Sequence, residues 1–185
     1  MAALMLTVPP DTQRVLRELG VPGKPCPQID HITVLMLGDE VSIEQLAEMM
    51  PVIYEACQNQ KPFTVSTSQI SSFPAGDDGV PVIAKIESPE LMKFQASLKK
   101  ELDTAQFDLE DKWPVYKPHV TLSYCGHEKV PNKPFPKLQW GVTSLTLWGA
   151  DEGQGRLVIQ FPLSLGKQHA GMTMKEMKKG MQYDD

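Results

Sequence analysis

The chain is short of cysteine, of basic charge and of long hydrophobic runs, and each shortage excludes something. Its three cysteines, Cys26, Cys57 and Cys125, cannot all pair with one another and show no C-x-x-C spacing. That argues against a disulfide framework and a structural zinc, and for a reduced, cytoplasmic setting. Lys and Arg number 18 against 23 Asp and Glu, a net charge of −5, so no basic field draws in long nucleic acid. A small anionic ligand stays open, because a few local donors outweigh a weak overall repulsion. The opening MAALMLTVPP is apolar but lacks a basic stretch and stops at Pro9-Pro10. It reads as a first strand, neither a signal peptide nor a membrane span.

What the sequence does contain is one short pattern twice, His31-Ile32-Thr33 in IDHITVLML and His119-Val120-Thr121 in KPHVTLSY. Each lies in a run of Ile, Val, Thr, Leu and Tyr that reads as a strand. Residues i and i+2 of a strand share a face, so each string sets an imidazole beside a hydroxyl. Two such strands facing each other supply two titratable rings and two hydroxyl donors. That set suits a phosphodiester: one His takes a proton from the attacking oxygen, the other gives one to the leaving oxygen, and the two Thr hold the non-bridging oxygens.

Along the chain, LMLTV predicts a strand, and Asp11 is expected to cap a short helix ended by Gly20. Pro22, Pro25 and Pro27 are expected to keep the stretch Val21–Pro27 irregular, as a connector or a wall of the site. After the first His strand, Ser42 caps a helix with Ile43, Leu46, Ala47, Met50, Ile53 and Tyr54 at helical spacing, and Pro51 is expected to kink or split it. FTVSTSQISSF and VPVIAKIE read as strands joined by the turn PAGDDG. Ser88 opens a helix carrying Leu91, Phe94, Leu98 and Leu102. VTSLTLWGA and RLVIQFPLSL close the chain as a hairpin. The pattern is α+β with mostly antiparallel sheets and one His string in each half.

With LTVPP, HITVLMLGD, ISSFPAGDDGVPVIAKI, KPHVTLSY and the closing LTLWG and RLVIQFPL in this order, the chain resembles the two-histidine phosphoesterases of the 2′-5′ RNA ligase-like superfamily. The likeness runs from about Met5 to Leu165 and is strongest to small phage and prophage-type members. It implies a bilobal α+β fold in which two antiparallel sheets flank a V-shaped cleft with helices on the outside. It implies chemistry without a metal or other cofactor on cyclic phosphate or nucleotide phosphodiester substrates, with His31 and His119 as acid and base and Thr33 and Thr121 as phosphate clamps. Many RNA-acting members carry a basic residue just after these strings, where this chain has Leu35-Met36 and Ser123-Tyr124. That departure favours a small nucleotide over tRNA or long RNA.

Further candidates are Tyr124 and Trp148 for stacking on a base and Glu152 for a substrate amine or ribose. Asp30 comes directly before His31 and, by alternation, is expected to point to the other face, so that it is not an obvious partner. His127 follows Cys125-Gly126 without further ligands at a usual spacing, and His169 and Lys117 read as solvent-exposed. Residues 1–166 are expected to form one bilobal domain, and the Met- and Lys-rich stretch 167–185 a flexible tail. The reading is a metal-independent phosphodiesterase in the cytoplasm, or a host's cytoplasm if phage-encoded, on a small cyclic nucleotide, cyclic oligonucleotide or 2′,3′-cyclic phosphate. Degradation of a cyclic immune signal is one form of it. The alternatives are an RNA-end enzyme of the ligase type, a non-catalytic nucleotide-binding module, and a virion protein with a vestigial domain. No membrane partner is expected, and oligomeric state is not legible.

Overall fold

A computed structural model describes residues 1–109, 115–126, 133–151 and 155–164. In chain order the elements are β1 (Ala2–Thr7), α1 (Pro10–Glu18), β2 (Lys24–Pro25), β3 (His31–Gly38), α2 (Ile43–Asn59), β4 (Phe63–Ser72), β5 (Val80–Glu87), α3 (Pro89–Thr104), β6 (His119–Cys125), β7 (Lys133–Pro134), β8 (Gln139–Val142), β9 (Ser144–Asp151) and β10 (Gly155–Pro162). They build two sheets, one ordered β10-β9-β1-β3 and the other β2-β6-β5-β4-β7 with β8 also on β4. The pairings are antiparallel in both. The expected α+β arrangement of two antiparallel sheets is therefore present, and each sheet holds one His string. Among the described residues no helix is long and apolar enough to cross a membrane.

One contiguous core backs both sheets. It joins Leu4 and Leu6 of β1, Ile32 of β3, Ala84 and Ile86 of β5 and Val120 of β6 to Leu46 and Ile53 of α2 and Leu91, Phe94, Leu98 and Leu102 of α3. At the start of β3 and of β6 the middle residue of the His string enters this core and its two neighbours are left on the other face. Cys57 lies in the core, where burial pushes its thiol up to about 12, as expected of a packing cysteine. All three cysteines are free.

Several local expectations need correction. Asp11 does not cap α1: the helix starts at Pro10, whose ring presets the first helical φ, and Asp11 sits in the first turn, paired with Arg14 at 3.2 Å. Val21–Pro27 is not wholly irregular, because Lys24–Pro25 adds a two-residue strand to the edge of β6, where a proline is tolerated. Pro51 does not split α2; it sits on the exposed side, where a carbonyl that its ring frees is open to solvent. Met49, Ala56 and Cys57, rather than Met50 and Tyr54, complete the buried stripe of that helix, and Ile43 is exposed. β8 pairs Phe63–Ser66 of β4, a strand that Gly141 between Trp140 and Val142 disguised.

Caps set the helix starts as expected at the other two. Ser42 and Gln45 form a reciprocal capping box. Buried Ser88 accepts from Leu91 N–H at 3.2 Å and donates to the Thr64 carbonyl at 2.8 Å, so it both starts α3 and ties it to β4. Ser88→Ala leaves a buried donor, Leu91 N–H, unpaired and frees the part-buried Thr64 carbonyl, and we expect a loss of about 2 kcal/mol in urea unfolding. Loss of less than about 0.5 kcal/mol would show the cap to be replaceable by water.

Candidate active site

β3 and β6, the two motif strands, belong to different sheets and lie against each other. Their buried residues Ile32 and Val120 point into the shared core, which turns His31, Thr33, His119 and Thr121 to the opposite faces, all half-buried. Tyr116, just before β6, spans the junction: its hydroxyl donates to the Thr33 carbonyl at 3.1 Å. Burial pushes the Tyr116 phenol well above its ordinary range, which keeps it a donor.

Each motif strand carries one extra residue directly after its Thr. Thr33 pairs with Met5 and Leu35 with Leu4, so Val34 is bulged; Thr121 pairs with Ile83 and Ser123 with Val82, so Leu122 is bulged. A bulge reverses the alternation beyond it. Met36 and Tyr124, five residues after their histidines, are thereby returned to the motif face, opposite Ala3 and Pro81. Strict alternation would have sent both away. Trp148 also lies on the motif face of the first sheet, opposite Ala3, with Thr146 opposite Met5 beside it. Glu152, His127, His169 and the stretch 167–185 lie outside the described residues.

The two imidazoles are held differently. His119 Nδ1 lies 2.7 Å from the Lys117 carbonyl. A carbonyl only accepts, so Nδ1 carries the hydrogen and Nε2 of the neutral ring keeps its lone pair. The Phe73 ring packs against the same imidazole, centroids 4.7 Å apart and planes at 88°. Burial lowers the His119 pKa, outweighing the raising effect of the Lys117 hydrogen bond, and the charge of His31 lowers it further.

His31 Nδ1 instead faces Asp30 Oδ1 at 3.1 Å. This corrects the expectation that Asp30 turns away: β3 begins at His31, so strand alternation does not govern the residue before it. With 27% of the His31 side chain and 58% of the Asp30 side chain exposed, the pair is solvated and orients the ring more than it stabilises the fold.

Positive charge reaches this face from neighbouring strands. Lys85 of β5 stands opposite His119, and Lys24 of β2 opposite Tyr124. Neither has a carboxylate partner among the described residues. Phe73, Tyr116, Lys85 and Lys24 were all missed as site residues by the linear reading. A ring contact reveals Phe73, a hydrogen bond Tyr116 and pairing register the two lysines, and none of these is visible in sequence spacing.

Three comparisons bear on this geometry. The family model of the 2′-5′ RNA ligase superfamily matches residues 16–154. Among solved structures, TT0787 of Thermus thermophilus superposes with a TM-score of 0.70 at 20% identity, covering 88% of this chain and 97% of that one. E. coli LigT complexed with 3′-AMP gives 0.62 at 18% identity, covering 88% and 94%. A structure described as a phosphoesterase gives 0.63 at 20%, covering 88% and 95%. At these identities the likeness establishes the fold. No curated protein matches the sequence.

The buried neutral state of His119 has a consequence for stability. Its pKa is lowered on folding, so below the unfolded value of about 6.5 the unfolded chain binds the proton first. The stabilisation is complete above about pH 6.5 and is lost as the pH falls beneath it. Urea midpoints should therefore drop more steeply between about pH 7.5 and 5 in the wild type than in His119→Asn. Parallel slopes would mean that His119 is solvated like the unfolded residue.

Proposed function

Because this chain belongs to the 2′-5′ RNA ligase superfamily, we propose that it is a phosphodiesterase that uses His31 and His119 as a proton-transfer pair on a small nucleotide substrate, without a metal. The observation that carries this reading is the meeting of two His-x-Thr strands from separate sheets, with the second ring neutral and its Nε2 free to accept. In this mechanism His119 Nε2 takes the proton of the attacking oxygen as its bond to phosphorus forms. His31 gives the proton on its Nε2 to the leaving oxygen as that bond breaks, so charge on the pair is conserved. Thr33 and Thr121 hydroxyls donate to the non-bridging oxygens, where negative charge builds up. For a 2′,3′-cyclic phosphate the attacking oxygen is that of water.

The small-substrate reading rests on charge. The net charge is −5, and the cations on the motif face are single residues on separate strands rather than a basic track. Met5, Trp148 and Met36 give the first sheet an apolar surface suited to a base, and Tyr124 lies on the motif face of the second. E. coli LigT has been solved with 3′-AMP, ATP and phosphate, which fits a nucleotide-sized ligand.

The test is turnover in EDTA of 2′,3′-cyclic mononucleotides, cyclic di- and trinucleotides and 2′-5′ oligoadenylate. We expect one class to be cleaved, with rates lowered about 10²-fold or more in both His31→Ala and His119→Ala. The rate should be bell-shaped in pH, its acid limb lying below the ordinary histidine range because burial keeps His119 deprotonated. Binding of a nucleotide without turnover would replace this reading with a binding module, and RNA joining with steep salt dependence would replace it with a ligase.

A further inference from the structure

We propose that Phe73 is a positioning residue for His119, packing against the imidazole so that its Nε2 stays turned to the reacting phosphate. The inference rests on the paired-histidine reading and assigns a role that the two His-x-Thr strings leave unfilled. An imidazole on a strand has two torsions to settle. The Lys117 carbonyl, 2.7 Å from Nδ1, selects the tautomer and restrains rotation of the ring about its own axis. It leaves the ring free to swing with its side chain, and the Phe73 ring removes that freedom. The two rings sit 4.7 Å apart at 88°, the edge-to-face arrangement favoured between π-systems.

The backbone explains why a residue outside the motif strands reaches the site. Phe73 directly follows β4, and its N–H donates to the Pro81 carbonyl at 3.1 Å, extending the β4–β5 ladder by one pair. Ser71, two residues earlier, stands opposite Ile83, which stands opposite Thr121. Phe73 therefore shares the face of Thr121 and His119, and its ring crosses that face to the histidine. The following Pro74 restricts Phe73 to extended backbone, which holds the side chain there. Gly79 then closes the hairpin at φ +104, where a Cβ would fall on the Cys125 carbonyl. The hairpin is thus clamped to β6 on the strand that carries His119.

His119 is faced by Phe73 from this hairpin, by the Lys117 carbonyl from its own approach, by His31 from β3 and by Lys85 from β5. Of these, Phe73 supplies apolar cover. Removing it admits water to the ring and releases its orientation together, and these have separate readouts. His31, held at Nδ1 by the exposed carboxylate of Asp30, has no aromatic ring against it among the described residues.

The experiment compares Phe73→Ala, Phe73→Leu and Phe73→Tyr with the wild type. The His119 ring is titrated by NMR, and kcat and KM are measured on the cleaved nucleotide. In Phe73→Ala, kcat should fall about tenfold or more with KM changed less than about twofold, as expected when a reacting group is held less well. The His119 titration should move up towards the ordinary histidine range. Phe73→Tyr keeps the ring and should retain both wild-type values. If Phe73→Ala fails to fold, Phe73→Leu, which keeps apolar bulk without the ring, carries the kcat test. An unchanged kcat in the ring-less variants, or a His119 titration unmoved in Phe73→Ala, would overturn the proposal. Because the titration needs no substrate, a shifted His119 in a protein that cleaves nothing would support the contact and overturn the phosphodiesterase reading instead.

Discussion

Ile32 on β3 and Val120 on β6 are wholly buried in the same hydrophobic core. This shared burial is the constraint on which the site depends. A strand sends alternate residues to opposite faces, so anchoring the middle residue of each His-x-Thr string in the core sends its His and Thr the other way. Two sheets backed by one core then present both motif faces at the junction where β3 meets β6. Hydrophobic burial, which is non-directional, acquires direction here from backbone geometry. The Tyr116 hydroxyl on the Thr33 carbonyl adds a fixed point between the two strands.

Within that frame the two histidines are chemically unlike despite identical motifs. His119 has a carbonyl at Nδ1, a phenyl ring against it and enough burial to lower its pKa. His31 has an exposed carboxylate at the same nitrogen. A pair of titrating groups with separated environments is what acid–base chemistry on one substrate requires. The residues that separate them lie just outside regular strands, Asp30 before β3, Lys117 before β6 and Phe73 after β4.

Charge follows a similar logic. The positions directly after the motifs carry no cation, yet Lys85 and Lys24 stand across from His119 and Tyr124 through sheet pairing. An acidic protein thereby has two cations on the motif face of its second sheet. On the first sheet's motif face Thr7, Met5, Ala3, Thr146 and Trp148 carry no charge around His31. The lysines therefore stand on the second sheet's side of the junction, while the first sheet contributes His31 with the Asp30 carboxylate beside it.

The amino-acid sequence by itself determined the strand character of both His strings, the Ser42 and Ser88 caps, the apolar stripe of α3 and the α+β class. These are local matters, set by a periodicity of about two or 3.6 residues and by side chains bonding to nearby backbone. Only the tertiary structure decided which strands are neighbours, and with that came Lys85, Lys24 and Phe73. It alone decided the bulges at Val34 and Leu122, because a bulge is a mismatch between two strands and has no signature in one. It also decided that Asp30 faces His31 and that Pro51 leaves α2 whole, since strand limits and solvent exposure belong to the folded chain. Side-chain types along the chain specify local conformation, whereas pairing register and burial, both long-range, specify which of those side chains meet.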